Sequence, residues 1–176
     1  MEKLVIIPTY NEKENAEAII SAIMGLQPDY HVLIIDDNSP DGTAAIVRSL
    51  FDRFPGRLFL EERQGKMGLG TAYVHGFRWA LAKGYRFIFE MDADFSHNPV
   101  DLERLYAACR QGADVAVGSR YVKGGAVENW PANRIFISKG ASLYTRIITW
   151  MPVMDPTAGF VCYRREVLEA INLDAI

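Results

Sequence analysis

The feature that most limits what this chain can become is a repeated change of hydrophobic period. Five apolar runs of strand length, "KLVIIP", "HVLIID", "RLFLEE", "RFIFEMD" and "ADVAVGSR", recur with helix-patterned stretches between most of them: "NEKENAEAIISAIMGL", "TAAIVRSLFDRF", "TAYVHGFRWALAKG" and "VDLERLYAACRQG". Continuous apolar runs suit strands buried on both faces. The intervening stretches carry capping residues or Pro near their starts and Gly just after several ends. Strand and helix alternating in this order predict an α/β fold: a mostly parallel, doubly wound sheet with helices on both faces. Sheets of that kind bind ligands outside the carboxyl ends of their strands. Polar residues collect there, as "PTYNE" after the first run, "DDNSPDGT" after the second, "DADFSHN" after the fourth and "GSRYVKGG" after the fifth.

With 176 residues, 49% of them hydrophobic and 23% charged, the chain suits one cored domain and is too apolar for disorder. Its net charge of −3 gives no whole-molecule attraction to nucleic acid, so local cations must meet any anionic ligand. Cys109 and Cys162 lack CxxC spacing and clustered histidines, which points to buried thiols in a reducing compartment rather than zinc ligands. The opening "MEKLVIIPTYNE" lacks the apolar core of a signal peptide, and no run of roughly 18 apolar residues exists. A cytoplasmic location is therefore expected. The final "GFVCYRREVLEAINLDAI" reads as a short strand and a helix without a Gly cap or Pro stop, so residues 1–176 are expected to form a single domain whose natural chain continues.

The acidic pair Asp92 and Asp94 ends the fourth apolar run. Residues i and i+2 of an extended strand point to the same side, so the two carboxylates would face one ligand, and they resist joint ionisation unless a cation compensates. Mg²⁺ or Mn²⁺ suits such a pair, because these ions take one or two protein carboxylates and complete their shell with water and phosphate oxygens. The plainer reading is two capping aspartates in a solvated loop. The first strand-to-helix turn, "PTYNEKEN", lacks the GxGxxG of dinucleotide enzymes, and "GKMGLGTA" at 65–72 does not have the Walker order. That turn reads equally as a flexible helix start or as a phosphate or base contact through Lys66 and backbone N–H groups.

"VIIPTYNEKEN", "IIDDNSPDGT", "GKMGLGTAYVHGF", "MDADFSHNP", "VGSRYVKGG" and "DPTAGFVCYRREVL", in this order, resemble the family 2 glycosyltransferases, and among them the dolichyl- or polyprenyl-phosphate mannose synthases. The resemblance covers nearly the whole chain. It implies a Rossmann-like nucleotide-sugar domain of the GT-A type that transfers mannose from GDP-mannose to dolichyl or polyprenyl phosphate with inversion at the anomeric carbon. Carried onto matching positions, it implies that Pro8, Tyr10 and Glu12 border the nucleoside, with Ile35 and Asp37 at its base and ribose. Asp92, Ala93 and Asp94 would meet the diphosphate and the metal. Ser96, where some relatives carry Gln, would lie near the ion. Arg120, also counted with the nucleotide-sugar contacts, and Arg134 match basic positions implicated in acceptor phosphate binding, and with Asp94 they complete the implied catalytic set. Asp155 matches a recurring acidic position, either a positioning group or a helix cap.

Physical chemistry agrees with that arrangement. The acceptor phosphate is already an anionic nucleophile, so the reaction needs cations more than a strong base, and arginine forks suit phosphate oxygens. The stretch "RIFISKGASLYTRIITWMPVM" mixes Arg134, Lys139 and Arg146 with apolar residues. It reads either as a helix covering the sheet or as one lying on a membrane surface, and the second reading would place the protein on the cytoplasmic face of a membrane. The Gly-rich "VKGGAVENWPANR" reads as a mobile loop. His31, His75 and His97 are not spaced as a metal cluster. Three other readings compete: transfer from UDP-glucose or another nucleotide sugar to the same acceptor, a phosphotransferase using Asp92 as nucleophile, and a nucleotide-sugar binder without turnover. The phosphotransferase reading expects its acidic pair after the first strand, with a Thr following. Here the pair comes late and Phe95 follows it.

Overall fold

The computed structural model describes residues 2–26, 29–119, 148, 150, 155 and 158–175. Arg120, Arg134, the Gly-rich loop and nearly all of the basic, apolar stretch after it lie outside the described residues.

The five expected strands form as β1 (Lys3–Thr9), β2 (Tyr30–Asp36), β3 (Leu58–Glu62), β4 (Phe87–Glu90) and β5 (Val115–Val117), with β6 (Val161–Arg164) from the final stretch. They make one six-stranded sheet in the order β3-β2-β1-β4-β6-β5. The pairs β1–β2, β2–β3 and β1–β4 are parallel. β6 inserts antiparallel between β4 and β5, so its amino end lies at the same edge as the carboxyl end of β4.

The α-helices with both ends among the described residues are α1 (Lys13–Met24), α2 (Thr43–Ser49), α3 (Leu69–Lys83), α4 (Leu102–Arg110) and α5 (Arg165–Ala170). Strand parity divides the core into two layers. Val5, Ile7, Val32, Ile34, Phe87 and Phe89 face one way, onto Ile19, Ile20 and Ile23 of α1, Val47 of α2 and Leu105 of α4. Leu4, Ile6, Leu33, Ile35 and Ile88 face the other way, onto Ala72, Tyr73, Phe77 and Ala80 of α3 and Leu168 of α5. The 3.6-residue period of α1 and α3 supplies these apolar stripes. Gly84, at φ 78°, ends α3 in a left-handed cap.

The expected N-caps take a different form. None of α1 to α4 has a side-chain bond from its own cap residue. Instead Asp41 accepts from Thr43 N at 2.9 Å, in the first turn of α2, and from Lys13 N at 3.0 Å, the first residue of α1. One carboxylate thereby serves two helix starts.

α3 approaches the sheet at Gly76, where a Cβ would lie 2.7 Å from Ile6 Cγ2 and 3.0 Å from Ile35 Cδ1. Alanine there gains about 0.8–1 kcal/mol of helix propensity but incurs about 1–3 kcal/mol of overpacking. Gly76→Ala is therefore expected to lower the thermal midpoint by about 2–4 °C, corresponding to roughly 1 kcal/mol in a chain of this size. An unchanged or raised midpoint in a thermal melt would contradict this packing.

Candidate active site

The chain enters β2 and β3 through helices on one face of the sheet and returns through α3, on the other face, to β4 on the opposite side of β1. Strand order reverses there, and a crevice at the carboxyl edge between β1 and β4 is the consequence. "PTYNE" leaves β1 on one side of it and "MDADFSH" leaves β4 on the other.

Buried polar contacts fix the β1–β2 side. Asp36, 0% exposed, accepts from Thr9 Oγ1 at 2.9 Å, Ser39 N at 2.8 Å and Ser39 Oγ at 2.6 Å. Ser39 Oγ also accepts from Asn11 N at 3.0 Å, and Thr43 Oγ1 from Glu12 N at 3.0 Å. "DDNSPDGT" therefore binds the "PTYNE" backbone through side chains that mimic turns. Hydrogen bonds from Thr43 and from Lys13 N outweigh the effect of burial and hold the Asp41 carboxyl below its ordinary range.

Tyr10 is exposed, and the Lys66 ammonium sits 4.6 Å from its ring centroid, so the first turn and "GKMGLG" meet on the same side of the crevice. Pro8 is half-buried beside Ile35 in register. Glu12 accepts from Asn15 Nδ2 at 3.0 Å. Ile35 is 0% exposed, and its side chain belongs to the core beneath α3. It supports the floor of the crevice rather than offering a side chain to its lumen. Asp37 is buried and held by Arg63, whose Nε and Nη2 donate to its two oxygens at 2.5 and 2.7 Å.

On the β4 side the strand ends at Glu90, before the acidic pair, but its alternation persists. Met91 and Ala93 join the first core layer. Asp92 turns toward α3, where Tyr73 Oη donates to its Oδ1 at 3.3 Å. Burial, and then the Asp92 charge, raise the Tyr73 hydroxyl, which stays a neutral donor. Asp94 is exposed and accepts from Ser96 N at 2.9 Å through Oδ1. The Ser96 side chain is exposed, and Phe95 between them has φ 57°. Asp155 is fully buried. His97 stacks on Phe160 with centroids 4.8 Å apart.

Two groups here were not singled out in the sequence. Gly159 lies so near Asp92 that a Cβ would be 2.8 Å from Oδ2; continuing the antiparallel register beyond Glu90 and Val161 aligns the two positions. Glu90 hydrogen-bonds Tyr163 behind Asp92, and burial pushes its carboxyl up to about 7, with the Asp92 charge adding to the rise and Tyr163 opposing it. The signal was a charged residue inside "RFIFEMD".

No group of three His, Cys, Asp or Glu side chains gathers as a metal cage among the described residues. A pair of carboxylates, one half-buried and one exposed, suits a hard divalent ion that takes its remaining ligands from water and phosphate. The donor set thus fits Mg²⁺ or Mn²⁺ at Asp92 and Asp94.

Residues 4–171 match the sequence profile of Glycosyl transferase family 2. The chain belongs to this family. Among relatives, it is 50% identical over 173 residues to a polyprenol monophosphomannose synthase of Mycolicibacterium smegmatis, covering 98% of this chain and 65% of that protein. It is 42% identical over 184 residues to a dolichol-phosphate mannosyltransferase of Pyrococcus furiosus, covering 100% of this chain and 50% of that one. The chain therefore spans about half to two thirds of these relatives. Among solved folds, it superposes with TM-score 0.65 at 22% identity on a Pyrobaculum calidifontis mannosyltransferase in complex with GDP-Man and Mn²⁺, covering 97% of this chain and 46% of that one. A glucosyl-3-phosphoglycerate synthase from Mycobacterium tuberculosis gives TM-score 0.71 at 18% identity, over 97% of this chain and 59% of that one. The fold is thus the GT-A type, as the family 2 motifs implied.

Glu90 gives this family 2 site a pH signature. Its folded-state value, about 7, lies above the ordinary 4.5. Its contribution to stability is therefore complete below about pH 4.5, declines as pH rises toward 7 and is lost above it. Glu90→Gln is expected to match the parent near pH 4 and to exceed it by up to about 3 kcal/mol at pH 8. Urea denaturation across that range reads the difference; parallel stability curves would contradict the assignment.

Proposed function

We propose that the chain is the catalytic domain of an inverting, divalent-metal-dependent glycosyltransferase that moves mannose from GDP-mannose to a polyprenyl or dolichyl phosphate. The observation that carries the reading is the strand order, which brings Tyr10 and Lys66 to one side and Asp92 and Asp94 to the other side of the carboxyl edge between β1 and β4. Identities of 42–50% to relatives named for mannosyl transfer to polyprenol or dolichol phosphate support the substrate class. The GDP-Man and Mn²⁺ complex of the structural neighbour supports the donor and the ion.

In this reading Pro8, Tyr10, Glu12 and Asp37 border the nucleoside, Ile35 underlies it, and Lys66 neighbours Tyr10. Asp92, the backbone at Ala93 and Asp94 face the diphosphate, with Ser96 beside them. A bound Mg²⁺ or Mn²⁺ would supply charge neutralisation for the departing diphosphate. Arg120 and Arg134 hold the acceptor phosphate by paired N–H···O bonds. One of its oxygens attacks the anomeric carbon from the face opposite the leaving group. A new carbon–oxygen bond forms, the bond to the diphosphate breaks, and its electron pair leaves with GDP. Because the attacking oxygen is already anionic, no side chain has to remove a proton. The lipid tail brings the protein to a membrane surface, where the basic, apolar stretch 134–154 would meet anionic headgroups. No helix among the described residues is long and apolar enough to cross a membrane.

Transfer from radiolabelled GDP-mannose to polyprenyl phosphate, measured with Mg²⁺ or Mn²⁺, tests this reading. Asp92→Ala and Asp94→Ala are each expected to reduce transfer about 10²-fold or more, the size of a lost electrostatic contact to the reacting groups. Undiminished transfer in both variants would overturn the site. UDP-glucose raising the melting point where GDP-mannose does not would favour the alternative donor.

A further inference from the structure

Arg63 sits one residue beyond β3, in "EERQGK", and no motif in the sequence drew attention to it. Its side chain is 7% exposed and that of Asp37 is 9% exposed. A buried arginine at the mouth of a ligand crevice needs partners for its five N–H groups, and most are found. Nε donates to Asp37 Oδ1 at 2.5 Å, and Nη2 donates to Asp37 Oδ2 at 2.7 Å and to Gly68 O at 3.1 Å. Nη1 donates to Thr71 Oγ1 at 2.7 Å. The guanidinium therefore ties the carboxyl end of β2 to the turn that opens α3.

Turn and carboxylate are also tied directly, since Met67 N donates to Asp37 Oδ2 at 3.2 Å. Thr71 Oγ1 closes the same turn on Met67 O and Gly68 O, at 3.0 and 2.8 Å. Lys66, at the tip of this turn, covers the Tyr10 ring. Arg63, Asp37, the 66–71 turn, Lys66 and Tyr10 thus form one continuous wall along the β2 side of the crevice.

The lone-pair inventory of Asp37 adds a second constraint. A carboxylate offers about four acceptor positions. Arg63 takes one on each oxygen, and Met67 N takes a second on Oδ2. A single acceptor position remains, on Oδ1. Guanine presents two adjacent donors, N1–H and N2–H, to a carboxylate that reads it with both oxygens, and Asp37 held in this way cannot do so.

We propose that Arg63 is a positioning residue for the donor nucleoside, holding Asp37 and the 66–71 turn as one wall and leaving Asp37 a single hydrogen bond to accept, through Oδ1. The proposal rests on the nucleotide-sugar reading above. Arg63 itself touches no substrate in it. Its effect reaches the donor through Asp37 and through the placement of Lys66.

Calorimetric titration with GDP and with UDP, each with Mn²⁺, tests it, because the method returns both an affinity and a fraction of competent protein. Arg63→Lys keeps the charge but not the fork, and Arg63→Gln removes the charge. Thr71→Val leaves the buried ion pair in place and removes the Nη1 contact together with the hydroxyl's bonds to Met67 O and Gly68 O. The two Arg63 variants are expected to raise Kd for the preferred nucleoside diphosphate about tenfold or more, the equivalent of at least one charge-assisted hydrogen bond. Lysine should do less harm than glutamine. Thr71→Val should raise Kd by about threefold, part of one such bond. In every case the binding stoichiometry stays that of the parent.

A merely structural role would instead lower the stoichiometry or the melting point and leave the Kd of the surviving protein unchanged; that result overturns the proposal. Should Arg63→Gln fail to fold, Arg63→Lys and Thr71→Val decide by the same criterion. If the parent protein binds neither GDP nor UDP, the donor reading itself falls and this inference with it. If the parent binds and the Arg63→Lys and Thr71→Val affinities equal its own, only the role of Arg63 is refuted.

Discussion

β1 has a parallel neighbour on each side, and the chain reaches those neighbours across opposite faces of the sheet. This reversal is the constraint on which the rest depends. Right-handed crossovers through α1 and α2 stack β2 and β3 to one side of β1. The crossover through α3 places β4 on the other side. With helices leaving toward opposite faces, the strand order opens a crevice at the carboxyl edge between β1 and β4. Each loop that meets there is then shaped for the crevice: "DDNSPDGT" binds the first turn from one side, and "MDADFSH" continues the strand alternation on the other.

The two sides differ electrostatically. On the β2 side the buried charge is compensated within the protein, because Arg63 faces Asp37 with good fork geometry and further hydrogen bonds. Such a pair is retained when its geometry is satisfied and is costly to break singly. On the β4 side, carboxyl groups at 90, 92 and 94 alternate along one strand extension, and burial, reinforced by the Asp92 charge, makes Glu90 hold its proton toward neutral pH. Tyr73 supplies Asp92 with a neutral donor. The first flank thus gathers its charge into one ion pair, while the second lines up three carboxyl groups.

Much of this was legible in the sequence because it is local. The runs "KLVIIP", "HVLIID" and "RFIFEMD" are strands because apolar residues repeat continuously over strand length, and the polar loops behind them had to lie at one edge. What escaped was set by register between distant segments. Arg63 matters because Asp36 pairs with Glu62, which puts the next residues, Asp37 and Arg63, side by side; in the sequence "EERQGK" is only a charged turn. Gly159 matters because β6 runs antiparallel to β4. Distance along the chain also hid the role of Asp41, which serves the starts of two helices, at Lys13 and at Thr43. Ile35, implied as a contact to the base, lies in the core because strand parity turns its side chain beneath α3. Arg120 and Arg134 rest on their chemistry and on the family motifs alone.

In the proposed mode of binding, the crevice between β1 and β4 receives a nucleoside diphosphate with its phosphates on the Asp92 and Asp94 side. A crystal structure of the protein with GDP-mannose and Mn²⁺ tests it most directly. The diphosphate is expected at the carboxyl edge between these strands, with a carboxylate oxygen of the acidic pair about 2.0–2.2 Å from the cation, and the nucleoside against Tyr10 and Asp37. A nucleotide bound at another edge of the sheet, or a cation held without Asp92 and Asp94, would contradict it.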